Sequence, residues 1–131
     1  MDIVNTFHRG IGFAIPAAFL VLAVASLVGI LRNRNPGDWY WSLLGILQVI
    51  VGIQFVVGAV LFLAGGRPPG GDLRWLHYVY GAFFPFALLL FAHRAARERF
   101  REVPTIPFGI AAFLCFGLTA RALMTGLGIG A

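Results

Sequence analysis

The sequence predicts an all-α integral membrane protein with four transmembrane helices, packed as an antiparallel bundle of two helical hairpins related by a pseudo-two-fold axis. Three observations predict it. The chain has 131 residues, 60% hydrophobic and only 11% charged, with a mean hydropathy of +0.87, and a soluble domain of this size needs far more polar surface. The apolar residues fall into four blocks, 7–31, 41–64, 73–92 and 106–129, each near the ~20 residues a helix needs to cross ~30 Å of hydrocarbon. These blocks lack the period-2 alternation of barrel strands, so helices are the reading. The whole chain, 1–131, forms one transmembrane domain.

The first block opens with "MDIVNTFH", which lacks the basic start of a signal peptide, so the first helix is expected to be retained. "RNRNPGD" turns it into the second block, and the glycine-proline run "GGRPPGG", 65–71, separates the second from the third. "RAARERFREVPTIP" is the one strongly charged run and reads as a solvated positive anchor after the third block. Cys115, in the fourth block, is the only cysteine. It excludes a disulfide framework and a covalent c-type haem, and packs as a small apolar residue.

All ten basic residues are arginine. Six of them (Arg32, Arg34, Arg94, Arg97, Arg99, Arg101) flank the first and third connections, against three (Arg9, Arg67, Arg74) at the other side. That asymmetry places those two connections in the cytosol and both termini outside, in a bacterial or archaeal plasma membrane. The net charge of +5 follows from topology; with no basic groove or stacking platform, nucleic acid is not an expected partner.

Residues 8–16 read "HRGIGFAIP" and residues 77–85 read "HYVYGAFFP". Both are His-x3-Gly-x3-Pro. His8 follows Asp2 by six residues and His77 follows Asp72 by five, and both aspartates are expected N-caps. At ~1.5 Å per residue the two histidines sit at nearly equal depth near the outer face. The match is good for helices one and three and poor for two and four. Two equivalent imidazoles facing each other suit a non-covalent haem b, with His8 and His77 as axial iron ligands. Gly12 and Gly81, one turn deeper, leave room for a flat macrocycle, and Pro16 and Pro85 bend each helix around it. Arg9, Arg74 and Arg121 are expected partners for the propionates. Arg121 lies inside the fourth span, where a charge is costly and faces the bundle, while all five carboxylates lie outside the apolar spans.

The alternative reading is that the histidines snorkel and the Gly and Pro positions serve helix packing. His93 has Val24 as its counterpart in the first repeat, so it reads as an interfacial residue and not a ligand. Gln48 and Gln54 are set to hydrogen-bond a neighbouring helix, or to touch a quinone or porphyrin edge. Ser26, Thr119 and Thr125 satisfy themselves against backbone carbonyls.

"HR" near the start of the first helix, and "LHYVYG" with its later "AHR", resemble the haem-bearing four-helix units of the haem A synthase family and membrane b-type cytochromes. The resemblance implies haem, with His8 and His77 carried over as axial ligands. That family also places a carboxylate near a ligand histidine; none lies in these spans, so haem binding is expected rather than haem hydroxylation. Three functions stay open. The first is electron transfer between the haem and a quinone or respiratory-chain subunit. The second is a non-catalytic membrane subunit or assembly factor. The third is a small transporter, against which the lack of intramembrane carboxylates counts. A homo-oligomer is compatible with each.

Overall fold

A computed structural model describes residues 2–69 and 71–128; Ile129, the expected end of the fourth span, lies outside them. Four helices are each long and apolar enough to cross a membrane: α1 (Asp2–Leu31), α2 (Asp38–Leu63), α3 (Trp75–Glu98) and α4 (Thr105–Gly126). No strand occurs among the described residues. Asp2 opens α1, and Asp72 lies in a 3-10 turn, Gly71–Leu73, that leads into α3.

The apolar sequence has two outlets, neighbouring helices and lipid, and the structure uses both. Helix α4 is the hub: α1 and α3 pack on it about equally, and α2 packs on α1. Phe19, Leu22, Tyr40, Leu47 and Cys115 fill the centre, each at most 1% exposed. Small residues let the backbones approach, as expected where lipid competes equally for apolar contact. At Gly109 a Cβ would lie 2.6 Å from the Cβ of Ser26, so α1 and α4 touch closely there. Ser26 donates to Leu22 O at 2.8 Å and shares a 2.6 Å hydrogen bond with Tyr40 OH. Thr119 and Thr125 likewise bond to carbonyls of their own helix, Cys115 O at 2.7 Å and Ala122 O at 2.8 Å. Outward, Val49, Phe55, Phe86, Phe91 and Phe113 are each more than 60% exposed, which water would penalise and a bilayer would not.

Helix α3 is interrupted. Residues Val79–Phe83 form a π turn, in which Phe84 N–H reaches Val79 O five residues back. Pro85 follows directly. Its missing N–H would leave the carbonyl of Gly81 without its usual donor, and a widened turn is one way a helix absorbs that defect. Pro16 sits inside α1 with no such break.

The connections hold few surprises. Asn33, at φ 56°, closes the end of α1, and Arg34 N–H bonds Gly29 O at 2.9 Å. The charged run begins as helix to Glu98, with Arg94 and Glu98 paired at 3.3 Å one turn apart, and then loops into α4.

Candidate functional site

Helices α1 and α3 bring His8 and His77 together. Their ring centroids are 6.1 Å apart with the planes inclined at 66°. Both rings are half-buried, and they meet close to the starts of their helices, although Arg74, and not the expected Asp72, is the N-cap of α3.

The surroundings of the two rings correspond in their glycines and differ in their hydrogen bonds. His77 Nδ1 lies 2.9 Å from the carbonyl oxygen of Ala122 on α4. A carbonyl only accepts, so Nδ1 carries the proton, and in the neutral ring the lone pair is left on Nε2. On the other side the Gln54 amide, from α2, donates to the backbone carbonyl of His8 at 2.7 Å. The imidazoles also rest on glycines. A Cβ at Gly58 of α2 would lie 3.2 Å from His8 Cε1, and one at Gly126 of α4 would lie 3.0 Å from His77 Cε1. Gly58 thus stands to the His8 ring as Gly126 stands to the His77 ring, while the hydrogen bonds differ: Gln54 binds the His8 backbone and Ala122 the His77 ring.

Three buried side-chain atoms lack a hydrogen-bond partner among the described residues, and all are here: His8 Nδ1, Gln54 Oε1 and Tyr78 OH. Tyr78 stacks edge-on against both His77, at 5.7 Å, and Phe62, at 5.7 Å. Leaving one such atom unsatisfied costs about 1–3 kcal/mol, and their confinement to one place marks it as the polar defect of an otherwise apolar interior.

The other expected residues are distributed as follows. Gly12 faces Leu123 and Gln54 at ordinary contact distance, 3.5 and 3.6 Å, and Gly81 faces the Ala122 methyl at 3.3 Å. Their missing Cβ atoms serve contact with α2 and α4, while Gly58 and Gly126 are the glycines that admit the rings. Arg9 is exposed. Arg74 is exposed too, with Nε on Gly71 O at 3.0 Å. Arg121 is half-buried and engaged within the chain. His93 is exposed, away from this pair; its Nε2 meets Gln48 Oε1 at 2.5 Å, and its ring lies edge-on to Phe108 at 4.9 Å. Cys115 is fully buried, with Sγ 3.9 Å from Pro85 O.

Among the described residues, no group of three or more His, Cys, Asp or Glu side chains is placed to hold a metal ion. A metal held by His8 and His77 would therefore have to bring its remaining ligands with it. No protein-family profile, curated protein or solved structure matches the chain.

Proposed function

We propose that this chain is an integral membrane haem protein in which His8 and His77 are the two axial ligands of one non-covalent haem b near the outer face. The observation that carries the reading is the separation of the two rings. Two collinear metal–imidazole bonds of about 2.0 Å, plus about 1.1 Å from each nitrogen to its ring centre, put axial imidazoles about 6 Å apart, centroid to centroid. The 6.1 Å found is that distance, and at 66° it is also the spacing of an ordinary edge-to-face ring contact. A macrocycle supplies four equatorial nitrogens, which suits a site with only two protein donors. The hydrogen bond from His77 to Ala122 O is of the kind that metal-bound histidines typically make through their other ring nitrogen, fixing the tautomer and ring orientation. Arg9, Arg74 and Arg121 provide positive charge for the propionates.

The haem, when bound, supplies a one-electron couple. The residues of the chain bind it, orient it and shield it with apolar helices. The expected electron partner is a quinone or a respiratory-chain subunit, consistent with the resemblance to haem A synthase units and b-type cytochromes. The chain is read as an antiparallel bundle of two hairpins about a pseudo-two-fold axis. In support, His8 and His77 are 69 positions apart, Gly58 and Gly126 are 68 apart, and each glycine seats the histidine of its own hairpin. The arginine asymmetry supports cytosolic 32–37 and 99–104 connections with both termini outside. The close contact of Gly81 with Ala122 favours a second reading, a non-catalytic subunit or assembly factor in which the motif only packs helices.

The two are separated by an absorption spectrum of protein produced with ample haem supply. A Soret band and a sharp reduced α-band are expected, lost in His8→Ala and His77→Ala and kept in His93→Ala. A colourless preparation, or a spectrum indifferent to His8 and His77, refutes the haem reading in favour of the packing one.

A further inference from the structure

At the end of α1 remote from the histidines, an open groove of ≈ 630 Å³ runs along the helix and ends at the connection to α2. Its length is apolar: Leu20, Val21, Val24 and Val28 line it, and each is 41–52% exposed. Its head is cationic and polar, with Arg32, Arg34 and Asn35, and Trp39 beside them. Gly29 forms the floor at the junction; a Cβ there would lie 3.1 Å from Arg34 O, and the Arg34 N–H to Gly29 O bond holds the connection against it. The backbone of Arg32 is tied likewise, its N–H bonding Val28 O at 3.0 Å, so both arginines spring from a hydrogen-bonded turn at the mouth. Neither forms an ion pair among the described residues, and no carboxylate lines the groove.

This is one apolar trough capped by two cations. From Leu20 to Arg32 is twelve residues, about 18 Å of helix, close to one leaflet, about 15 Å of hydrocarbon, plus the depth of a headgroup. Trp39 at the mouth matches the preference of indole for the headgroup level. A free anion would use the arginines and waste the trough, and a neutral hydrocarbon chain would do the reverse. We propose that the groove is a binding site for one anionic phospholipid, its phosphate on Arg32 and Arg34 and an acyl chain along Leu20, Val21, Val24 and Val28. Because a zwitterionic headgroup brings a cation that two guanidinium groups repel, the site prefers lipids whose phosphate charge is left uncompensated.

The test is native mass spectrometry of the full chain in detergent, titrated separately with phosphatidylglycerol and phosphatidylcholine. At about fivefold per arginine near an anionic surface, the pair gives roughly a 25-fold preference for phosphatidylglycerol. Arg32→Gln with Arg34→Gln should remove the preference, and Arg32→Lys with Arg34→Lys should keep most of it. Val24→Trp, which fills the trough, should weaken both lipids. Inorganic phosphate at equal concentration should compete with neither. Equal retention of the two lipids by the unaltered protein would overturn the proposal, whatever the variants do. Displacement of phosphatidylglycerol by inorganic phosphate would also overturn it, by showing a plain anion site.

Discussion

Gly126→Ala is the substitution for which the geometry makes the sharpest demand. The added methyl would lie 3.0 Å from Cε1 and 3.2 Å from Nδ1 of His77, several tenths of an ångström inside ordinary carbon contact. The ring cannot simply slide away, because Nδ1 is held 2.9 Å from Ala122 O on the same helix. Relief therefore means lengthening or losing that hydrogen bond, and with it the fixed tautomer. Disturbing a partner of this kind typically lowers metal affinity 10–100-fold, about 1.4–2.8 kcal/mol. Alanine meanwhile favours the helix over glycine by up to about 1 kcal/mol, which roughly offsets the about 1 kcal/mol of the lost hydrogen bond, so the fold should change little. The assay is haem titration of the apoprotein in detergent, followed at the Soret band, with thermal unfolding measured alongside. Gly52→Ala is the control, since nothing lies within 4 Å of a Cβ at that position. Haem affinity within twofold of the parent in Gly126→Ala, with a well-folded protein, would refute the claim that this contact positions a ligand.

Gly109→Ala sets its methyl 2.6 Å from the Cβ of Ser26, so α1 and α4 must part; a loss of about 1–3 kcal/mol should appear as a lower midpoint in thermal unfolding. Tyr40→Phe removes the 2.6 Å bond to Ser26 and should cost about 1 kcal/mol in the same measurement, with no change in haem content. His93→Ala breaks the bond to Gln48 and should cost about 0.6 kcal/mol, the average for such bonds between membrane helices, leaving the absorption spectrum unchanged. A reporter active only in the cytosol, fused after Ala131, should be silent if both termini are outside; strong activity would invert the orientation.

The spans were readable because hydrocarbon imposes a composition that four blocks of the chain obey, and their ends were found to within about six residues. The histidine pair was readable for a different reason: the repeated His-x3-Gly-x3-Pro put one polar group at the same place in two apolar segments, although the helix starts themselves are not matched, α3 being capped by Arg74 rather than Asp72. What seats the imidazoles was not. Gly58 and Gly126 are separated by 68 positions rather than 69, and their helices share little else, Leu44 having Ala112 and Leu47 having Cys115 as its buried counterpart. Packing volume is conserved between the halves of such a bundle only as a sum, so position-by-position comparison loses it. The bond between Ser26 and Tyr40 was hidden too, because a serine in a span can always be satisfied by its own helix. The π turn had only Pro85 to announce it, and Pro16, in the same motif, sits in an unbroken helix.

That π turn changes what kinds of alteration can reach the histidine pair. It holds one more residue than an α-helical turn would, and so takes up an extra residue without turning the segment bearing His77 against the segment Phe84–Glu98. Taking a single residue out of 79–83 lets the turn close to an ordinary α turn, and the meeting of His77 with His8 should survive. One residue more has no second widened turn to take it up; it would rotate the two parts by about 100° and swing His77 away from His8. The encounter of the two rings is therefore governed by a length, the number of residues between His77 and Pro85, which can fall by one more easily than it can rise.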